Sequence, residues 1–191
     1  MRQILAITNQ KGGVGKTTTC INLAASLAVT NKRVLLIDFD PQGNATMGSG
    51  IDKTGLEQSA YHVLMDGCDI SQVKQFSETG KFDVLPANSE LTAAEVELLT
   101  TDKKEFRLQK ALQDIHHHYD YVLIDCPPSL NMLTVNALTA CSGIIIPMQC
   151  EYYALEGLSA LIDTINRIRK RLNPDLAIAL LLMIMVMRRH C

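Results

Sequence analysis

The sequence predicts a single α/β domain in which a mostly parallel sheet carries helices on both faces. Three observations lead there. Short runs rich in Ile, Val and Leu, with no polar alternation, take turns with longer segments of helical period. Strands covered on both faces read this way because neither side meets water. The first apolar run also passes into the first helical segment through a glycine-rich turn, a βα junction. Finally, 191 residues suit one core rather than two.

The expected strands are Arg2–Thr8, Arg33–Asp38, Phe82–Pro86, Tyr121–Asp125, Gly143–Pro147 and Ala177–Met187. Helical period predicts Thr17–Val29, Leu91–Asp114 as one helix or more, Asn131–Cys141 after the Pro127-Pro128 break, and Ala154–Leu172. The last is the clearest. Leu155, Leu158, Leu161, Ile165, Ile168 and Leu172 share one face, and Asn173-Pro174 ends it. Arg167, Arg169, Lys170 and Arg171 gather at its C-terminal end, where cations suit the helix dipole. They read as a solvated helix end.

Composition narrows the class. With 47% hydrophobic and 20% charged residues the chain reads as an ordinary globular protein, and its net charge of −2 decides nothing about nucleic acid. Six cysteines without a C-x-x-C pair, mostly inside apolar runs, predict buried reduced thiols and a reducing cytoplasm. The apolar stretch from Leu176 to Met187 is shorter than the ~20 residues a membrane-spanning helix needs, and it predicts a buried strand. The three adjacent histidines His116, His117 and His118 cannot all face one ion, and no further ligand is spaced for them.

The chemistry concentrates in Gln10-Lys11-Gly12-Gly13-Val14-Gly15-Lys16-Thr17-Thr18. Set between a strand and a helix, these glycines let successive backbone N–H groups turn inward on phosphate oxygens. The helix start adds its positive dipole end. This pattern predicts a P-loop for a nucleoside triphosphate, with Lys16 on the β- and γ-phosphates and the Thr17 hydroxyl on Mg2+. Gly12, Gly13, Val14, Gly15 and Thr18 complete the cradle, Thr18 reaching the α-phosphate. The standard pattern G-x-x-x-x-G-K-[ST] places glycine where this chain has Gln10, and a second lysine, Lys11, stands before the glycine pair. This is the deviant form of the loop. Two other strands end in carboxylates, Asp38 with Asp40 and Asp125. Ligands of open α/β sheets sit outside such strand ends. Asp125 is expected to help hold the metal.

Taken together, these segments resemble the ParA/MinD group of ATPases, and its ParA/Soj partitioning branch most closely. The resemblance rests on Lys11–Thr19, on Asp38-Phe39-Asp40-Pro41-Gln42-Gly43-Asn44, on Leu123-Ile124-Asp125-Cys126-Pro127-Pro128-Ser129 and on Ile146–Gly157. It implies ATP and Mg2+ as ligands and hydrolysis to ADP and phosphate. It further implies that two ATP-bound subunits face each other as a homodimer. Lys11 then acts across that interface on the partner's phosphates, Asp40 orients the attacking water, and Asp38 supports the metal through its water shell. A ParB-like partner would stimulate hydrolysis, and the ATP-bound dimer would bind DNA non-specifically on the nucleoid, with no membrane involved.

The sequence departs from that family after Leu176. Ala177–Cys191 lacks the expected polar strand end and further helices, and it resembles a truncated end. The family's adenine-contacting loop and DNA-binding residues therefore transfer to no position here. Two alternatives stand beside the switch: a truncated nucleotide-binding and dimerisation module without turnover, and a MinD-like membrane ATPase. The second needs an amphipathic C-terminal helix, whereas Ile178–Met187 is apolar on all sides.

Overall fold

The computed structural model describes residues 3–149 and 154–184. Among them one sheet is formed by β1 (Gln3–Ile7), β2 (Val34–Asp38), β3 (Gln75–Ser77), β4 (Phe82–Leu85), β5 (Tyr121–Asp125), β6 (Gly143–Gln149) and β7 (Ala177–Ile184). The strands lie in the order β3-β4-β2-β5-β1-β6-β7. Every neighbouring pair is parallel except β3 with β4.

Because side chains alternate across a strand, each strand feeds two cores. On one face Ile7, Leu36, Val84, Leu123 and Ile145 pack with Cys20 and Ala24 of α1 (Lys16–Val29) and with Ala45 of α2 (Asn44–Gly48). On the other, Ala6, Leu35, Ile37, Leu85, Ile124 and Ile146 form a larger core. It is covered by α3 (Ala60–Met65), α4 (Ile70–Val73), α5 (Leu91–Glu97), α6 (Arg107–Leu112), α7 (Met132–Ala140) and α8 (Ala154–Arg171). Helices cover both faces, as the unbroken apolar runs predict.

All six expected strands form, within a few residues of their predicted ends. The edge strand β3 escaped prediction because three residues carry no measurable period. Helices α2, α3 and α4 escaped for the same reason, each holding fewer than two turns. The Leu91–Asp114 segment divides into α5 and α6, with 3₁₀ turns at Leu98–Thr100 and Lys104–Phe106 between them.

One expectation needs correction. Ala177–Ile184 is a strand, but it is not buried. Ile178, Leu180, Leu181 and Met183 are exposed: among the described residues β7 stands at the edge of the sheet beside β6, and no described element covers these side chains. The predicted extension to Met187 lies outside the described residues. Cys20, Cys126 and Cys141 are buried free thiols as expected, Cys68 is half-buried, and Cys150 and Cys191 lie outside the described residues. His116–His118 forms a 3₁₀ turn. Among the described residues no group of three or more His, Cys, Asp or Glu side chains is placed to hold a metal by itself, and no helix is long and apolar enough to cross a membrane.

Candidate nucleotide site

Strand register assembles the site. Ile7 pairs with Asp125, and Asp125 pairs with Asp38, so β1, β5 and β2 end level with one another. The hydrogen-bonded ladder runs one step further, with the Cys126 N–H donating to the Ile7 carbonyl and the Phe39 N–H to that of Asp125 (3.1 and 2.9 Å). The glycine loop leaves β1 beside both carboxylates. It stands where β2 and β4 lie to one side of β1 and β6 and β7 to the other, the switch point at which open α/β sheets take ligands.

The loop is held from both flanks. Asn9 accepts from the Lys11 N–H (3.0 Å) and donates to the Pro147 carbonyl (2.7 Å). From the end of β6, the Gln149 side chain donates to the Gly13 carbonyl (3.0 Å). Gly15 caps α1 at φ +82°, a left-handed conformation that costs other residues strain. A Cβ added at Gly12 or Gly13 would meet nothing within 4 Å, so the loop opens outward into free space. No side chain caps α1 and no acid sits in its first turn. The first-turn amides, which have no partner inside the helix, are thus left for an anion.

Lys16 folds back along this loop, its Nζ donating to the Lys11 carbonyl (3.3 Å), and is only 8% exposed. Burial lowers its pKa, while the charges of Asp125 and Asp40 oppose that shift. Thr17 donates its hydroxyl to Asp125 Oδ2 (2.7 Å). The other oxygen, Asp125 Oδ1, is buried without a hydrogen-bond partner. Burial first, and the Asp38 charge second, push the Asp125 carboxyl up to about 8. A buried carboxylate oxygen with no donor, beside a hydroxyl, suits a hard cation that takes oxygen ligands.

Asp38 is fully buried at the end of β2. Its Oδ2 accepts from the Thr46 N–H and hydroxyl (both 2.7 Å), and its Oδ1 accepts from the Asp40 N–H (3.1 Å). Burial raises its pKa to about 6 against these hydrogen bonds. Asp40 lies half-buried in the following turn, its Oδ1 accepting from the Gln42 N–H (2.9 Å). Of the predicted residues the structure therefore brings Lys16, Thr17, Asp38, Asp40 and Asp125 together beside the loop 11–18. Lys11 lies at its entry, half-buried.

Sequence reasoning missed Asn9, Thr46, Glu95 and Asn131. The N-cap of α7, Asn131, accepts from the Leu133 and Thr134 N–H groups (both 3.1 Å) and donates to Glu95 on α5 (2.5 Å). This anchors the segment that follows Asp125. Burial raises the pKa of Glu95, and so does the charge of Asp40. Only Asn131 carried a local signal, a capping residue just before an apolar helical run. Part of the Ile146–Gly157 segment, Cys150–Tyr153, lies outside the described residues. At the other end of α8, Arg169 donates to the Leu176 carbonyl (2.5 Å), so this member of the basic cluster ties the helix to the turn that leads into β7.

Fold and loop define a P-loop nucleoside triphosphatase fold. Known proteins bear this out. The AAA_31 family model, an AAA domain, matches residues 2–178. The sporulation initiation inhibitor protein Soj of Bacillus subtilis is 53% identical over 97% of this chain and 74% of its own. The chromosome partitioning protein ParA of Caulobacter vibrioides is 50% identical over 98% of this chain and 71% of its own. A Pseudomonas putida protein of uncharacterized function is 67% identical over 93% of this chain and 68% of its own. Among solved structures, cobyrinic acid a,c-diamide synthase from Mycobacterium smegmatis, with a bound ATP analog and magnesium, superposes with a TM-score of 0.91. It is 40% identical over 97% of this chain and 75% of its own. A plasmid partition protein from Borrelia burgdorferi gives a TM-score of 0.79 at 32% identity, over 94% of this chain and 77% of its own. The chain belongs to the ParA/Soj family of partitioning ATPases.

Proposed function

We propose that this chain binds ATP with Mg2+ in the loop Lys11–Thr18 and hydrolyses it to ADP and phosphate, as a switch in chromosome or plasmid partitioning. One observation carries the reading: the partnerless buried oxygen of Asp125 beside the Thr17 hydroxyl, at the foot of an open glycine loop. Two solved relatives support the direction. One holds an ATP analog with magnesium, and another is a plasmid partition protein. The higher identity to the partitioning proteins, 53% and 50% against 40%, favours partitioning over the synthase.

In this reading the loop amides and Lys16 bind the phosphates. Thr17 and Asp125 hold Mg2+, which when bound neutralises charge on the phosphates. Asp38 would support the metal with its charge through the water shell, its oxygens already accepting three hydrogen bonds from Thr46 and Asp40. Asp40 orients the attacking water. Lys11 acts on the phosphates of a second subunit, a cation supplied across a homodimer interface. Loss of the γ-phosphate then releases the dimer. The ATP-bound dimer binds DNA non-specifically on the nucleoid, in the cytoplasm, and a ParB-like protein stimulates its reset.

The test is Asp40→Ala protein studied by light scattering and by phosphate release. ATP-dependent dimers with turnover reduced about 100-fold or more support the assignment. Normal turnover would overturn it. Wild-type protein that binds ATP without any turnover, with DNA and a ParB-like protein present, would favour a binding and dimerisation module.

A further inference from the structure

Thr46 sits in α2, six residues beyond Asp40, and is completely buried. Its hydroxyl takes part in two hydrogen bonds of opposite sense. It donates to Asp38 Oδ2 (2.7 Å) and accepts from the N–H of Ala87 (2.9 Å), just beyond the end of β4. The other oxygen of Asp38 accepts from the Asp40 N–H (3.1 Å). One string of hydrogen bonds therefore runs from the exit of β4, through Thr46 and Asp38, to the backbone of Asp40. A hydroxyl fills this middle position because its one oxygen both donates and accepts.

The same contact is reinforced by close packing. Gly43 lies at φ +62°, and a Cβ there would stand 2.7 Å from the Ala87 carbonyl oxygen. The turn carrying Asp40 is thus pressed against the exit of β4, and Thr46 is the side chain that joins them. Burial makes this junction decisive, because no water can replace a lost partner for the Ala87 N–H or for Asp38.

We propose that Thr46 is a positioning residue for hydrolysis: by joining Asp38 to the exit of β4 it sets the backbone of Asp40 for water activation. The proposal rests on the role given to Asp40 above. Thr46 touches no nucleotide in this scheme, so it bears on turnover and not on ATP affinity. A side chain of the same shape without the hydroxyl lets the 39–46 turn drift. Small misplacements of a catalytic group cost rate steeply.

The experiment compares Thr46→Val and Thr46→Ser with wild type in two measurements: steady-state ATP hydrolysis, and amide hydrogen exchange across residues 39–50. Thr46→Val is expected to lower kcat about 10- to 100-fold with KM for ATP unchanged. It is also expected to speed exchange at Asp40. Thr46→Ser, which keeps the hydroxyl, should restore both. If Thr46→Val weakens ATP binding and kcat together, or if Thr46→Ser fails as badly as Thr46→Val, the residue merely supports the fold and the proposal is wrong. Unchanged exchange at Asp40 in Thr46→Val would overturn it as well. Should the wild type not turn over ATP, the function proposed above fails instead, and the exchange rates alone decide the part played by Thr46.

Discussion

Replacing Asp125 by asparagine is expected to stabilise the metal-free protein, increasingly so as the pH rises. Burial and the neighbouring Asp38 raise its carboxyl from 3.8 to about 8 in the folded chain. The folded state therefore holds a proton that the unfolded state releases. A group shifted this way contributes stability that is complete below its unfolded pKa and is lost as pH climbs to the folded value. The loss runs at about 1.4 kcal/mol per pH unit, or about 4 kcal/mol between pH 5 and pH 8. Asparagine keeps the acceptor for the Thr17 hydroxyl and has no proton to lose. The stability difference between Asp125→Asn and wild type should grow by that amount over this window and level off above pH 8. Urea unfolding followed by circular dichroism measures it, since the chain contains no Trp for fluorescence. Adding Mg2+ with an ATP analog should reverse the order, because only wild type keeps the carboxylate that holds the cation. Parallel stability curves for the two proteins from pH 5 to pH 8 would refute the buried ionisation, and a failure of Mg2+ with the ATP analog to favour wild type would refute the metal role.

Three further outcomes follow from the same geometry. Lys16→Ala removes the buried cation folded along the loop and should abolish ATP binding measured by calorimetry, by at least ~100-fold in Kd. Lys11→Ala should leave ATP affinity of the monomer intact while blocking turnover in the dimer. Equal loss of monomer affinity would argue against action in trans. Asn131→Ala removes the cap of α7 and should cost about 1 kcal/mol of stability by urea unfolding, with Glu95 losing its donor.

Much of the architecture was legible because its signals are local. An apolar run without alternation marks a strand covered on both sides, and six such runs became six strands. The glycine loop between a strand and a helix announces phosphate chemistry through its backbone, which needs no distant partner. The exposed β7 was misjudged for a related reason. Composition reports what a segment would bury, not whether a neighbour is there to bury it. Short elements such as α2 were invisible, since five residues complete little more than one helical turn.

The sequence alone determined the order of the motifs, the strand–loop–helix that cradles phosphate, and the acids that end β2 and β5. Only the tertiary structure decided how these meet. Parallel register brings Asp38 and Asp125 level with Ile7, and hydrogen bonds spanning 41 and 108 positions tie Thr46 to Ala87 and Thr17 to Asp125. Burial of those groups, not their identity, leaves one carboxylate oxygen without a donor and sets the pKa of both acids. Pattern along the chain reports which groups are present. Their energies depend on which groups the fold removes from water together.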